Sequence, residues 1–504
     1  MEFMEHIYVI NPDYLIRDDD TRYLLYSYGT LLNDSDNIRT FLHPMQAQLF
    51  SYFGQEPRTL DENIALIAKD YGYSEEDVEE MISPFVGNEK RRVLKYGERK
   101  SIIPRNFIIP LSESKREYKP LFSGEIKIDN EKEVDLQSIR LNKAPYTLTL
   151  MLTNNCATHC CYCYADTTTK VKRYVPIERL ASIIAEARKL QLHNINIIGG
   201  EVFLYKDWDV ILKEIIGNGF MPDLISTKIP ITEELVKRLN DTGYTNVIQL
   251  SIDTFDSCAA RQTLHAPEGY TDKVKEGLEL LEKYEIPYQV GTVLTKWTAN
   301  RENLKELFKF FVGKKYFKQW EIRQAMYSLG KDMANFKEIS AETAIVKELA
   351  EMVKNEMEPT CTFKIAFEAN MEEEKFRVAK DGCRSFKHGQ CSAMNTHLFV
   401  LPDGKVTICE QLYWNPDFIV GDINESTLEE IWHSPRMMEL VNLERKHIKE
   451  ESACKACDFF TMCFKTDRNR CWADIIKAYG AENWDFPDPY CAYAPELKND
   501  IYGQ

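Results

Sequence analysis

Residues 147–163 read Thr147-Leu-Thr-Leu-Met-Leu-Thr-Asn-Asn-Cys156-Ala-Thr-His-Cys160-Cys-Tyr-Cys163, an apolar run of strand length that leads into a loop with four cysteines in eight residues. From Tyr146 onward, strand-like segments TLTLML, INIIGG, DLIST, VIQLSID, YQVGTVLT and QWEIRQA alternate with amphipathic runs such as PIERLASIIAEARKLQ and TDKVKEGLELLEKY. Strand and helix alternating in this way is the pattern of a parallel α/β sheet, closed or partly closed. Ligands of such sheets sit at the C-terminal strand ends, and the cysteine loop leaves the first strand at that end.

The rest of the composition narrows the chemistry. A chain of 504 residues with 44% hydrophobic content is long enough for about two to four domains. A net charge of −16 disfavours nucleic acid and anionic membranes as partners. One dense basic run, Lys90, Arg91, Arg92, Lys95, Arg99 and Lys100, reads as a solvated linker, with docking of an acidic peptide as the alternative. The N-terminus MEFMEH lacks a basic segment followed by an apolar one, and no long apolar run occurs, so the expected location is cytoplasmic. In a reducing compartment 14 cysteines are not a disulfide framework, which leaves metal binding or thiol chemistry.

Five segments are expected. Residues 1–88 contain alternating HIYVI and RYLLYS around Asp18-Asp-Asp, read as a small hairpin. Three short helices follow, one opened by Thr59 with Glu62 as a capping box and another by Ser74 with Asp77. Such strands and helices describe a winged helix, and the acidic helix surfaces argue against DNA as its ligand. Residues 89–144 are read as a connector, 145–330 as the α/β core, 331–382 as a helical bridge, and 383–504 as a Cys-rich extension held by metal rather than by a large core.

Cys156, Cys160 and Cys163 stand at CxxxCxxC spacing, with the aromatic Tyr162 before the last cysteine. Three thiolates hold a four-iron cube and leave its fourth iron open. The spacing alone also admits a structural zinc site with Cys161 as a fourth ligand. Cys161 is otherwise a bystander or, less simply, a redox thiol. Gly199-Gly200-Glu201 ends the second strand, Ser226-Thr227 the third and Ser251 with Asp253 the fourth, and Arg261 lies just beyond. Together these residues resemble the radical S-adenosylmethionine (SAM) enzymes. The resemblance implies a partial (β/α)6 TIM-type barrel, a 4Fe-4S cluster on Cys156, Cys160 and Cys163, and SAM held near Tyr162, Gly199, Gly200, Glu201, Ser226, Thr227, Ser251, Asp253 and Arg261. Two positions depart from the family pattern: Val202 follows GGE where Pro is frequent, and Lys228 follows Ser-Thr where Asn is frequent.

The C-terminal third adds Cys383, Cys391, Cys409, Cys454, Cys457, Cys463, Cys471 and Cys491. Spacing alone leaves two zincs open. The arrangement, with FIVGDINESTLEEIW between the cysteine groups, resembles the SPASM extension of radical SAM peptide-modifying enzymes. That resemblance implies two auxiliary 4Fe-4S clusters, one on Cys383, Cys391, Cys409 and Cys471 and the other on Cys454, Cys457, Cys463 and Cys491. Seven residues rather than the family's three separate Cys463 from Cys471.

The N-terminal segment then resembles the recognition element of enzymes that mature ribosomally made peptides, in which a leader peptide adds a strand to a sheet edge. The expected edge lies around Tyr23 to Ser27 and the helix that follows. The whole chain is read as a peptide maturase installing an intramolecular crosslink, a cysteine-sulfur-to-carbon thioether first and a C–C or C–O crosslink next. Formylglycine formation in a sulfatase is the rival enzymatic reading, and a bare electron carrier the non-enzymatic one. The resemblance also implies a flavodoxin- or ferredoxin-type electron donor. No general base is assignable from sequence, and His159, His193 and His397 are expected to be ordinary satisfied or surface residues.

Overall fold

All seven residues of β1 (Thr147–Thr153) are buried, because the strand has a parallel neighbour on either side and both of its faces are covered. In the computed structural model, which describes residues 7–28, 37–97, 99–121, 126, 133–329, 336–368, 376–378, 384–386, 391–466 and 470–501, the chain divides into two compact units at Ala144/Pro145.

In the second unit β1 pairs in parallel with β2 (Asn194–Gly199). A second sheet follows in sequential order: β3 (Leu224–Thr227), β4 (Val247–Ser251), β5 (Tyr288–Leu294), β6 (Phe317–Gln324) and β7 (Lys364–Glu368), all parallel. The expected alternation is present, with α1 (Ile177–Lys189), α2 (Trp208–Gly217), α3 (Glu233–Asn240), α4 (Ser257–Leu264), α5 (Tyr270–Lys283) and α6 (Arg301–Phe311) between the strands. Between β2 and β3 the Asn196 side chain stands in for a backbone ladder: its Oδ1 accepts from the Asp223 N–H at 2.9 Å and its Nδ2 donates to the Asp223 carboxylate at 3.0 Å. The segment read as a helical bridge does contain helices, Phe336–Ile339 and Thr343–Met352, but it also supplies β7. Lys-Ile-Ala-Phe-Glu has only three apolar residues between charged ends, too short a run to mark that edge strand.

The C-terminal extension differs from the expectation in how it is held. Its first strand, β8 (His397–Val400), pairs in parallel with β1, and β9 (Lys405–Thr407) and β10 (Ile419–Asp422) continue that sheet antiparallel. Leu398, Val406, Ile408, Phe418, Ile423 and Trp432 are fully buried, so this half of the extension has an apolar core of its own. Arg179 on α1 donates to the carbonyls of Ile423 and Ser426, and Glu186 accepts from the Leu428 N–H at 2.6 Å. Only the stretch beyond about residue 445 is short of sheet and rich in cysteine.

In the first unit, Ile7–Ile10 pairs with Arg58–Thr59 and Ile108–Pro110, and Tyr14–Asp18, Tyr23–Ser27 and Arg39–Leu42 form a separate antiparallel sheet. HIYVI is therefore not the hairpin partner of RYLLYS; YLIRD is. The capping box of Thr59 and Glu62 opens Leu60–Tyr71, and Ser74 caps Glu75–Ile82. Residues 89–144, read as a connector, form a hairpin (Arg92–Tyr96 with Arg99–Ile103) and a strand of the first sheet. They are also clamped by a buried ion pair, Asp19 with Arg22 at 2.9 Å. Arg22 donates to the carbonyls of Asp135, Ser138 and Arg140, and Asp19 accepts from the N–H groups of Asn142 and Lys143. Tyr23–Ser27 is the central strand of its sheet, with both edges paired, so it cannot receive an added strand. The outer strands of that sheet are Tyr14–Asp18 and Arg39–Leu42. Among the described residues no helix is long and apolar enough to cross a membrane.

Candidate functional site

The cysteine loop leaves β1 and is held from two sides. The N–H groups of His159 and Cys161 donate to the carbonyls of Leu264 and Thr263 at the C-terminal end of α4, and the Ser328 hydroxyl donates to the Cys163 carbonyl at 2.7 Å. His265 makes that geometry possible: it adopts φ 53° to end α4, and its Nδ1 lies 2.7 Å from the His159 carbonyl. Within the loop the Thr158 hydroxyl lies 3.7 Å from Cys156 Sγ and 3.3 Å from Cys160 Sγ, which brings two thiols to one point. Burial pushes the Cys160 thiol up, while Lys228 and the Thr158 hydroxyl draw it down.

Gly199 and Gly200 have a structural reason that sequence reading assigned to the cofactor. A Cβ on Gly200 would stand 2.5 Å from the Asn155 carbonyl oxygen and 2.6 Å from that of Asn154. The turn after β2 packs directly on the entry to the cysteine loop, and the N–H groups of Gly200 and Glu201 bond the carbonyls of Thr153 and Asn155, each at 2.8 Å. The glycines therefore place Glu201 against the cluster loop.

Glu201 is buried and accepts from the Thr227 hydroxyl at 2.9 Å, the Lys228 N–H at 2.8 Å and the Phe203 N–H at 3.3 Å. Burial pushes its carboxyl up against these three donors. Lys228, where the family pattern has Asn, links this group to the next. Its Nζ donates to the Tyr162 hydroxyl at 2.8 Å and lies 3.7 Å from the Asp253 carboxylate. Tyr162 donates to Asp253 Oδ2, and Asp253 Oδ1 accepts from the Val293 N–H at 2.9 Å. Burial works against the Lys228 charge, but Asp253 and the Cys160 thiol outweigh it and hold its pKa above the usual lysine value. Tyr162 and Asp253 are thus joined in a buried hydrogen-bonded set, and both Asp253 oxygens are engaged within the chain. Ser226 accepts from Gln249 at 3.2 Å, Ser251 lies half-buried at the end of β4, and Arg261 is exposed on α4. Lys228 is the residue of this site that sequence reading passed over; its signal was its position at the end of β3.

The auxiliary cysteines sort into two groups. Cys409 interacts electrostatically with Cys391, and Cys471 with Cys409. Cys463 interacts with Cys491, Cys457 and Cys454. Cys383 lies outside the described residues. Burial pushes Cys409 and Cys463 up to about 12, so these thiols ionise only with a positive partner. Iron supplies that charge and soft thiolates are its donors, so both sets fit iron–sulfur clusters. Among the described residues no three His, Cys, Asp or Glu groups converge as ligands of one single ion. His193 stacks on Tyr146 and His397 Nδ1 lies 2.8 Å from the Thr396 hydroxyl, which accounts for both imidazoles without a ligand role.

Comparison with known proteins gives matches consistent with this geometry. Residues 150–311 match the radical SAM superfamily, and residues 391–458 match an iron–sulfur cluster-binding domain, SPASM. The AdoMet-dependent heme synthase of Methanosarcina barkeri is 23% identical over 71% of this chain and 100% of its own length. A probable GTP 3′,8-cyclase of Methanosarcina mazei is 28% identical over 32% of this chain and 49% of its own. Among solved structures, Streptococcus suis SuiB bound to its precursor peptide SuiA superposes with a TM-score of 0.62 at 15% identity, covering 96% of this chain and 100% of that one. The chain is an enzyme that carries a radical SAM domain, which binds S-adenosylmethionine with a 4Fe-4S cluster, and a SPASM domain, which binds auxiliary iron–sulfur clusters.

Proposed function

We propose that the enzyme installs an intramolecular crosslink in a ribosomally made precursor peptide, a Cys-sulfur-to-carbon thioether first among the candidates. The observation that carries this reading is the likeness in fold to a peptide-bound enzyme over 96% of the chain, the N-terminal unit included. That unit has its own apolar core. When bound, SAM and its cluster would supply the one-electron chemistry that removes a hydrogen atom from substrate, and the auxiliary clusters would take up the electron released as the Cys thiol loses its proton and the new bond forms.

The chain's own residues then divide the work. Cys156, Cys160 and Cys163 hold the core cluster on a loop fixed by α4. Glu201, already oriented by Thr227 and the Lys228 N–H, offers its remaining lone pairs to the ammonium group of SAM. Thr227, Ser226 and Ser251 line the same strand ends, with Arg261 beyond. Asp253 anchors Tyr162 and Lys228, and through them the loop. Cys391, Cys409 and Cys471, with Cys383, hold the first auxiliary cluster, and Cys454, Cys457, Cys463 and Cys491 the second. The N-terminal unit, read as a winged helix, takes the leader peptide at an outer strand, Tyr14–Asp18 or Arg39–Leu42, by strand addition. A flavodoxin- or ferredoxin-type protein supplies the electron that starts each turnover.

The test is to incubate the anaerobically reconstituted enzyme, SAM and reductant with short peptides encoded beside its gene. The proposal expects a product lighter by the mass of two hydrogens, with one Cys thiol no longer alkylated. A peptide of unchanged mass after SAM is consumed in its presence, or a peptide altered only in stereochemistry, contradicts it.

A further inference from the structure

The stretch between Cys463 and Cys471 is longer than the SPASM pattern, and it ends in Arg470. This arginine is 4% exposed. Its guanidinium lies 3.7 Å from the centre of the Phe464 ring and 5.0 Å from that of Trp472, which fixes its plane. Nη2 donates to the Phe486 carbonyl at 2.7 Å, whereas Nε and Nη1 are buried with no hydrogen-bond partner. A buried cation with two unmatched donors is costly unless something anionic faces it. Two carboxylates act on it electrostatically, Asp488 and Asp485, yet neither accepts from it. Asp488 accepts instead from the N–H groups of Cys471 and Tyr490, and Asp485 from that of Lys449. The thiols of Cys454, Cys463 and Cys491 also act on the guanidinium electrostatically, and the Phe464 ring on which it lies directly follows Cys463 in the chain.

We propose that Arg470 is the buried charge partner of the cluster held by Cys454, Cys457, Cys463 and Cys491, and that it raises the reduction potential of that cluster. The inference rests on the assignment of those four cysteines as ligands. A cube with four thiolates is anionic and gains one further negative charge on one-electron reduction, so a fixed buried cation beside it stabilises the reduced form more than the oxidised one.

The experiment uses the full chain with Cys156, Cys160 and Cys163 changed to Ala, so that only auxiliary clusters contribute. Arg470→Gln and Arg470→Lys are compared with this parent by iron count and by a dithionite potentiometric titration followed by EPR. The Gln variant is expected to keep its iron while one of the two midpoints falls, its reduction equilibrium about tenfold less favourable, which is roughly 59 mV for a one-electron couple. The Lys variant, which keeps the charge, shows a smaller fall, and the other midpoint is unmoved. Loss of one cluster's iron in the Gln variant but not in the Lys variant also supports the charge role. Unmoved midpoints with iron retained, or equal iron loss in both variants, overturn it. A parent that binds zinc, or too little iron for two cubes, instead refutes the ligand assignment beneath it.

Discussion

Gly200→Ala puts one methyl group against backbone on two sides. The added Cβ would lie 2.5 Å from one carbonyl oxygen and 2.6 Å from another, with the Asn155 carbonyl carbon at 2.8 Å. None of these atoms is the end of a flexible side chain, so either the turn after β2 or the entry to the cysteine loop must move by several tenths of an ångström. Overpacking of this kind costs about 1–3 kcal/mol. The bonds from Gly200 to Thr153 and from Glu201 to Asn155 lie in the path of the shift, and losing one adds about 1 kcal/mol. A total near 3 kcal/mol lowers the melting temperature of the second unit by roughly 4 °C, taking the average unfolding entropy per residue over residues 145–504. The larger effect is on geometry, because the shift separates Glu201 from the loop that carries Cys156. Misplacement of about 1 Å costs on the order of 100-fold in rate. The assay is reductive SAM cleavage to 5′-deoxyadenosine after reconstitution, beside a thermal melt and an iron count. Gly199→Ala is the comparison, since its Cβ would meet the Thr153 carbonyl at 3.0 Å and its effect should be milder. Wild-type cleavage and melting in Gly200→Ala, or a greater loss in Gly199→Ala, would refute the argument that these glycines join two backbones.

Other perturbations follow from the same contacts. Lys228→Met leaves the buried Asp253 and Tyr162 without their cation and should cost about 3–5 kcal/mol in denaturant unfolding; adding Asp253→Asn should recover part of it, as coupled sites do. Cys463→Ala and Cys409→Ala should each remove about four irons, from different clusters, whereas Cys161→Ala should remove none; total iron by inductively coupled plasma analysis decides between them. Arg22→Leu strands the buried Asp19 carboxylate and unties residues 135–143, at about 3–5 kcal/mol to the first unit. Peptide binding should fall in that variant, while SAM cleavage without peptide, carried out by the second unit, should persist.

Some of this was legible in the chain and some was not, for physical reasons. Alternating apolar strands and amphipathic helices declare parallel α/β structure because burial on two faces leaves a continuous apolar signature, as in TLTLML. Helix starts at Thr59 and Ser74 could be read because capping depends on neighbours three residues apart. Strand partners could not: Ile7–Ile10 pairs with residues about 50 and 100 positions away, and no local pattern encodes that choice. The same limit turned residues 89–144 into an apparent connector, since their order depends on Asp19 and Arg22 far upstream. At the site, the cysteine spacing and the polar strand ends were visible, but the contacts that Asp253 makes were not. A carboxylate at a strand end gives no sign in the sequence of the tyrosine, lysine and backbone N–H that it meets in the fold.

The central claim, three clusters of which one cleaves SAM, is tested most directly by counting iron and sulfide in the anaerobically reconstituted protein and in its Cys156, Cys160 and Cys163 to Ala variant. The account predicts about twelve irons falling to about eight, with 5′-deoxyadenosine formation lost in the variant. Zinc in place of iron, or SAM left intact by the unsubstituted protein under strong reductant, would contradict it.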